Sequence, residues 1–392
     1  TFSHGGDWWY FGGFDVTNSG DGNPGFAISG NHNVLDQVNA YHNGNTGIQI
    51  RRLGNADTVI AEWPSYNLIL NCTSYGNADD GYEDADGFAC KQTAGEGNVF
   101  DGCVAYNNAD DGFDLYANAG RPIGAVVIKN SIAYSNGYLE DGTNAGNGNG
   151  FKMGGSSVAV DHKLINSFVF FNKAKGIDCN SCPNLKVENV TTYNNENYNV
   201  ALYTNNANDT AFEATGILSF KDKTIKDGFG VEENFKPKGS QDTRKYTGSS
   251  NYYWDGAASQ NSSGKKIGAD AFVSLEFKGV TRNEDGTPDL GDFLKKSDKA
   301  PEKSGADGTG TASAFTSPQE VAVATKAVPE ATPAPPAEPT PEPTAAPEAE
   351  NSGNGGVIGI VIAIIVVVAA VAGGAYYYMT QKKKKDGAET KK

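Results

Sequence analysis

Residues 104–115 read VAYNNADDGFDL, and both halves of this stretch recur through the first two hundred residues. In the first half an aromatic residue is followed two positions later by asparagine, here Tyr106 and Asn108. In the second half a glycine stands before a large apolar residue, here Gly112 and Phe113. Two short motifs that repeat in a fixed order indicate a fold built from stacked copies of one unit.

The aromatic-x-asparagine motif occurs six times, at Tyr41/Asn43, Tyr75/Asn77, Tyr106/Asn108, Tyr134/Asn136, Phe170/Asn172 and Tyr193/Asn195. Successive aromatics are 34, 31, 28, 36 and 23 residues apart, which suits coils with loops of different lengths. Short β-branched runs broken by Gly and Asn predict strands of a few residues. We therefore predict an all-β chain, a right-handed, single-stranded parallel β-helix. Its asparagines should hydrogen-bond along the stack, and its aromatic rings should pile up inside.

The glycine motif predicts which residues face outward. If the apolar residue after each glycine points inward, strand alternation sends the next residue to the outer face. The predicted outer column is Ala27, Gln49, Ala89, Asp114, Lys152 and Asp178. The residues before the glycines form a second column, Pro24, Thr46, Asp86, Asp111, Asn149 and Lys175.

This register gathers four carboxylates, Asp86, Asp110, Asp111 and Asp114, next to Lys152. Hard oxygen ligands at flexible spacing suit Ca²⁺, which takes six to eight of them. The plainer alternatives are a solvated acidic surface and, for Lys152, an ordinary surface ion pair. Because like charges this close raise each other's pKa and reduce stability, we favour a calcium site with a lysine beside it.

Composition restricts the possible partners. The formal net charge of −15 argues against nucleic acid, which needs a basic face. Cys179 and Cys182 form a C-x-x-C among five cysteines, but no second pair or histidine cluster completes a zinc site. A disulfide or two buried thiols is the simpler interpretation. The 49 glycines suit the many tight turns of a coiled all-β protein.

The C-terminal part predicts a membrane anchor. We assign residues 1–315 to the β-helix and residues 316–356, rich in Pro, Ala, Glu and Thr, to a disordered linker. Residues 357–378 carry no charge and have the length of a transmembrane helix. The lysines within 379–392 indicate a cytoplasmic tail, so we expect a cell-surface, single-pass protein with its β-helix outside the cell.

The segments DADGFACK, NNADDGFDLY and GNGNGFKMGG resemble the pectate lyases of polysaccharide lyase family 9. The resemblance runs from about Trp8 to Phe293, and we expect the family's first coils and N-terminal cap to be missing before it. It implies that Asp86, Asp110, Asp111 and Asp114 bind calcium and that Lys152 is the catalytic base.

The resemblance also implies calcium-dependent β-elimination of polygalacturonate, that is, pectin, by a protein we expect to be a monomer. Two alternatives stay open. A β-helix hydrolase would use two carboxyl groups and leave Lys152 without a role. A non-catalytic uronate-binding surface protein would need no base, since a fold does not fix a function.

Overall fold

The structure is a computed structural model that describes residues 1–52, 62–91, 93–203, 213–222, 248–308 and 310–312. These residues belong to one compact unit, Thr1–Ala331. Within these ranges no helix has the length and apolar character that crossing a bilayer requires. The predicted linker, membrane helix and tail lie outside the described residues.

Three parallel sheets of eight strands each form the coils. Sheet A contains β1 (Phe2–His4), β4 (Phe26–Ile28), β7 (Ile48–Ile50), β10 (Phe88–Cys90), β13 (Phe113–Asp114), β16 (Phe151–Lys152), β19 (Ile177–Asp178) and β22 (Val200–Ala201). Sheet B contains β2 (Tyr10–Gly12), β5 (Val34–Asp36), β8 (Leu68–Leu70), β11 (Asn98–Asp101), β14 (Val126–Lys129), β17 (Lys163–Ile165), β20 (Lys186–Glu188) and β23 (Glu213–Thr215). Sheet C contains β3 (Asp15–Thr17), β6 (Asn39–Tyr41), β9 (Thr73–Tyr75), β12 (Val104–Tyr106), β15 (Ile132–Tyr134), β18 (Phe168–Phe170), β21 (Thr191–Tyr193) and β24 (Leu218–Phe220).

The chain visits sheets A, B and C in turn and then begins the next coil, so each strand pairs with its equivalent one coil away. This arrangement confirms the predicted parallel β-helix. Every sheet B strand is joined to the following sheet C strand by two residues. The first of the two has a positive φ, for example 49° at Asn71, 65° at Gly102 and 51° at Asn130. Asparagine and glycine adopt this left-handed conformation at low cost, which explains their abundance.

The interior is filled by the apolar residues of the glycine motif. Phe88 and Phe113 stack with their ring centroids 4.9 Å apart, and Phe113 and Phe151 are also 4.9 Å apart. These three side chains are fully buried or nearly so, as the alternation predicts. All five cysteines are buried and unpaired, so Cys179 and Cys182 are two buried thiols.

The asparagines of the first motif form an amide ladder, in which each Nδ2 donates to the Oδ1 of the next coil. The bonds are Asn43–Asn77 at 3.0 Å, Asn77–Asn108 at 2.8 Å, and Asn108–Asn136, Asn136–Asn172 and Asn172–Asn195 at 2.9 Å each. Asn199 closes the ladder by accepting from Asn195 at 3.1 Å. The predicted hydrogen bonding along the stack is confirmed.

The aromatic rings of the same motif also stack, but the prediction that they lie inside was wrong. Tyr75 and Tyr106 have ring centroids 4.8 Å apart and stack almost parallel on the outer face of sheet C. The reason is the parity of the strand: in β12 the small Ala105 points into the core, so Tyr106 points away from it. The rings form a second cluster that is separate from the core of the coils.

Residues 248–308, which we call the C-terminal strap, follow the coils. They contain an antiparallel sheet of β25 (Tyr253–Trp254), β26 (Ser259–Gln260) and β27 (Lys266–Ile267), a 3₁₀ turn at Ala269–Ala271, and a hairpin of β28 (Thr281–Arg282) and β29 (Pro288–Asp289). Phe293 of the strap packs on Phe170 of the aromatic stack at 4.9 Å. Arg282 donates to the carbonyl oxygens of Cys72 at 2.7 Å and Gly102 at 3.1 Å. The strap therefore lies on sheet C and leaves the outer face of sheet A to the predicted site.

Candidate metal and catalytic site

The predicted site residues lie on consecutive strands of sheet A. Ala89 of β10 pairs with Asp114 of β13, Asp114 pairs with Lys152 of β16, and Lys152 pairs with Asp178 of β19. Alternation along each strand turns these side chains to the outer face, because Phe113 and Phe151 face the core. The outer column deduced from the sequence is confirmed.

The second column runs beside the first, at the turn before each sheet A strand. Asp86 Oδ1 accepts from the backbone N–H of Asp111 at 3.3 Å, and Asp111 Oδ1 accepts from the N–H of Asn149 at 2.8 Å. Asn149 Oδ1 continues the series by accepting from the N–H of Lys175 at 3.3 Å. We call Asp86, Asp111 and Asn149 the carboxylate column. Each side chain uses one oxygen to hold the next coil, so each aspartate keeps its second oxygen for the site.

Three of the four predicted ligands come together. Asp86, Asp111 and Asp114 each present a carboxylate oxygen, and these oxygens lie within 4.8 Å of one another. All three side chains are buried to within about 1% of their surface. Asp110 is buried as well, but its oxygens are outside this group, and its Oδ1 accepts from the backbone N–H of Asn147 at 2.9 Å.

Lys152 reaches this cluster from the next coil. Its Nζ is 2.9 Å from Asp111 Oδ2 and 3.6 Å from Asp114 Oδ2. The same Nζ lies 5.9 Å from the ring centroid of Tyr116, and the side chain is 17% exposed. The amine is therefore next to the carboxylates and still accessible from the outer face.

Lys91 is a part of the site that the sequence analysis did not single out. Its Nζ lies 2.8 Å from Asp86 Oδ2 and 2.8 Å from Asp114 Oδ2, and its side chain is 12% exposed. Alternation could have found it: Ala89 faces outward, so Lys91, two residues further on, faces outward too. The pairing itself depends on a side-chain conformation that the alternation does not determine.

Burial and the charges of the lysines act in opposite directions on the pKa values of the carboxyl groups in this cluster. Burial raises the pKa of Asp86 to about 7, although the Lys91 ammonium opposes the shift. Burial, with Asp111 next to it, raises the pKa of Asp110 to about 9. Burial would also raise the pKa of Asp114, but Lys91 and Lys152 outweigh it and lower this pKa.

For the two lysines, burial lowers the pKa and the neighbouring carboxylates raise it. Burial lowers the pKa of Lys152, but the nearby carboxylates, first Asp111 and then Asp114, outweigh burial, so that the pKa is raised. The pKa of Lys91 is also raised, because Asp114 and Asp86 outweigh the effect of burial. The carboxylates thus favour a cation at each position that contacts them.

The donor set fits a hard divalent cation. Three carboxylates from two coils supply the oxygen ligands that calcium prefers, and the outer face leaves room for further oxygens. Asp111 Oδ2 is buried and lies 2.9 Å from Lys152 Nζ, but that contact lacks hydrogen-bond geometry. This oxygen accepts no hydrogen bond from the part of the chain that the structure describes. A buried carboxylate oxygen without a hydrogen bond is the kind of group that a metal ion satisfies.

Eight parallel coils with carboxylates and a lysine on one outer face define a parallel β-helix protein with a candidate metal site. Residues 1–209 match the family described as "Pel9A-like, right handed beta helix region". The chain belongs to this family, which confirms both the expected handedness and the resemblance to the pectate lyases of polysaccharide lyase family 9.

Individual relatives agree with this assignment. Pectate lyase L of Paenibacillus polymyxa is 41% identical over 299 residues, which cover 74% of this chain and 61% of that protein. Pectate lyase L of Thermoclostridium stercorarium is 41% identical over 270 residues, 68% of this chain but 21% of that protein. The crystal structure of pectate lyase Pel9A is similar with a TM-score of 0.59 and 32% identity, covering 76% of this chain and 66% of that one. The chain thus spans only part of the length of these relatives.

Proposed function

We propose that this protein is a calcium-dependent pectate lyase that cleaves polygalacturonate by β-elimination. The observation that carries the proposal is the position of Lys152 Nζ, 2.9 Å from a carboxylate of a three-aspartate cluster on an accessible face. The relatives named pectate lyase support the same reaction class.

In this proposal Asp86, Asp111 and Asp114 hold the calcium ion, and Asp110, one residue before Asp111, supports the site. Bound calcium would supply a Lewis acid that binds the uronate carboxylate and increases the acidity of the C5 proton. The carboxylate column orients the ligands, because Asp86 and Asp111 are each fixed through one oxygen to the backbone of the next coil.

The carboxylates raise the pKa of Lys152, and a bound divalent cation would oppose them and favour the neutral amine. In that form Lys152 would take the C5 proton on Nζ. The electron pair of the C5–H bond becomes the second bond between C4 and C5 as the bond from C4 to the glycosidic oxygen breaks. The departing glycosidic oxygen takes a proton from solvent, and Lys152 returns the C5 proton to solvent. The products are a shortened chain and an unsaturated uronate. Atoms and electrons balance without water or a redox partner.

The full chain, purified in detergent, provides the test on polygalacturonate. Ultraviolet absorbance of the unsaturated product should appear with calcium and disappear with a chelator. New reducing ends without that absorbance would instead indicate the hydrolase alternative. Binding of polygalacturonate without any new chain ends would indicate the non-catalytic alternative.

We further propose that residues 357–378 anchor the β-helix at the cell surface, with residues 316–356 as spacer and residues 379–392 in the cytoplasm. The support is the uncharged segment of membrane-spanning length followed by lysines. Protease treatment of intact cells that make the protein should remove the β-helix and spare an antibody tag placed after Lys392. Release of the β-helix without protease would contradict the anchor.

A further inference from the structure

We propose that Lys91 is an exchangeable counter-ion of the calcium site, displaced from Asp86 and Asp114 when the metal binds. The inference rests on the proposed calcium site and adds to it a residue that limits calcium affinity. Its basis is that Lys91 Nζ contacts a carboxylate oxygen of two of the three residues in the candidate ligand group, Asp86 and Asp114, at 2.8 Å each.

An ammonium group and a calcium ion cannot use the same oxygens at bonding distance. Calcium binds carboxylate oxygens at about 2.3–2.6 Å. A lysine Nζ at hydrogen-bond distance from two of those oxygens would then lie against the ion, where two positive charges repel strongly. Lys91 must therefore move away before Asp86 and Asp114 can both become ligands.

The chain provides a route for this movement. Lys91 directly follows β10, and its side chain keeps 12% of its surface exposed to solvent. A flexible four-carbon stem can swing its Nζ toward solvent above sheet A while the backbone stays in the stack. The displaced ammonium would then face the side on which an anionic substrate approaches.

The ion pair between Lys175 and Asp178 differs from the contacts of Lys91, because it involves no candidate metal ligand. Lys175 Nζ contacts Asp178 Oδ2 at 2.7 Å, and the two residues are three positions apart on one coil. Asp178 lies outside the group of three carboxylates. Lys91 instead joins Asp86 and Asp114 across two coils, and each of these belongs to the candidate ligand set. Lys175 therefore provides a matched control.

The experiment is isothermal titration of calcium into the full-length protein in detergent, for wild type, Lys91→Met and Lys175→Met. Methionine keeps the length of the stem and removes the charge. We expect Lys91→Met to bind calcium about tenfold more tightly, since a competing cation is lost. Lys175→Met should stay within about twofold of wild type. Unchanged or weaker binding by Lys91→Met overturns the proposal.

Thermal melting separates exchange from a purely structural role. In chelator, Lys91→Met should melt at least about 5 °C below wild type, because two buried carboxylates lose their cation. With saturating calcium the difference should disappear. A deficit of the same size in both conditions would show that Lys91 is a fixed structural partner and would overturn the proposal.

Two further outcomes are also decisive. If Lys91→Met is unfolded in chelator, calcium should restore its folding, and failure to do so contradicts the proposal. If wild type binds no calcium, the proposed calcium site itself fails. If wild type binds calcium and Lys91→Met binds it equally, only the role of Lys91 fails.

Discussion

The amide ladder and the carboxylate column both link successive coils through side-chain oxygens. The aspartates of the column carry a second oxygen where the asparagines of the ladder carry the amide nitrogen. Both run along the stack, and both use a side-chain oxygen to accept a backbone N–H of an adjacent coil, the preceding coil in the ladder and the next coil in the column. In the ladder, each asparagine also donates to the following one, so the series is satisfied within the protein. In the column, Asp86 and Asp111 have no amide to donate, and the Oδ2 of each contacts an ammonium group, that of Lys91 or Lys152.

The difference shows how a repetitive scaffold can acquire a site. Replacing an amide by a carboxylate at a turn leaves the stacking contact in place and adds a buried negative charge. Several such charges on adjacent coils attract cations, here the ammonium groups of Lys91 and Lys152. The scaffold function and the site function are therefore carried by different oxygens of the same side chains.

The largest effect should follow the loss of the lysine beside the column. Lys152→Ala should lower kcat on polygalacturonate by about a thousandfold, because a positioned base contributes roughly 10²–10⁴-fold. The measurement is product absorbance under saturating calcium. Lys163→Ala, at the exposed first residue of β17, is the control and should keep full activity. Activity of Lys152→Ala within about tenfold of wild type would remove this residue as the base.

Converting the column toward the ladder should weaken the metal site. Asp111→Asn keeps an oxygen for the N–H of Asn149 but removes a ligand charge, so we expect calcium affinity to fall about tenfold or more. Calcium titration measures the change. Asp178→Asn, one coil beyond Lys152 and outside the three-carboxylate group, should leave the affinity unchanged. Equal titration curves for Asp111→Asn and wild type would exclude Asp111 from the site.

Replacing a ladder asparagine by aspartate, the residue type of the column, should destabilise the fold without creating a metal site. Asn136→Asp removes the donors to Asn172 and to the Ala105 carbonyl and places a charge against acceptors. We expect the free energy of unfolding to fall by about 3 kcal/mol or more, since unpaired buried charges are costly. Urea denaturation measures this change.

The control for that exchange is Asn189→Asp. Asn189 is exposed and has a φ of 53°, a conformation that aspartate also tolerates. Its unfolding free energy should change by less than about 0.5 kcal/mol. If Asn136→Asp were equally harmless, the ladder would not be a closed network.

The smallest effect concerns a buried histidine that directly precedes β17 and lies outside the amide ladder. His162 is buried, and its Nδ1 accepts the N–H of Val126 at 3.1 Å. Burial lowers its pKa from 6.5 to about 3. The unfolded chain therefore binds the proton first as the pH falls. The contribution of neutral His162 to stability is complete above pH 6.5 and is lost progressively as the pH falls toward 3.

His162→Asn should keep an acceptor and remove the titration. Between pH 6 and 4 its unfolding free energy should fall less steeply than that of wild type, by up to about 1.4 kcal/mol per pH unit. Urea denaturation across this range measures the slope. Identical slopes for the two proteins would show that His162 does not contribute in this way.

Strand alternation made most of the fold and the site predictable. The parallel coils, the inward Phe113 and the outward Asp114 and Lys152 all follow from a period of two and a constant register. The face of the aromatic stack was predicted wrongly, because Tyr106 and Asn108 have the same parity. Asn107 between them has a φ of 50°, and this turn reverses direction so that the ring points out and the amide points in.

Other features depend on contacts that local patterns do not encode. Arg282 bonds to the carbonyl of Cys72, 210 residues away in sequence, and nothing near either residue signals the pairing. The contact of Lys91 with Asp114 requires one particular side-chain conformation out of several. Such long-range and rotamer-dependent contacts are decided by the packed structure as a whole.

The two-residue corner between sheets B and C is constant in all eight coils, whereas the connection from sheet A to sheet B ranges from five residues at 5–9 to 17 at 51–67. Because the corner has the same length in every coil, it fixes the register of the next sheet C strand. A long loop elsewhere in the coil therefore does not shift the strands that follow. Loops bordering the outer face of sheet A can therefore gain or lose residues independently of one another. A laboratory library that varies loop length there, and keeps every corner at two residues, should retain the fold while altering which polysaccharides the face accommodates.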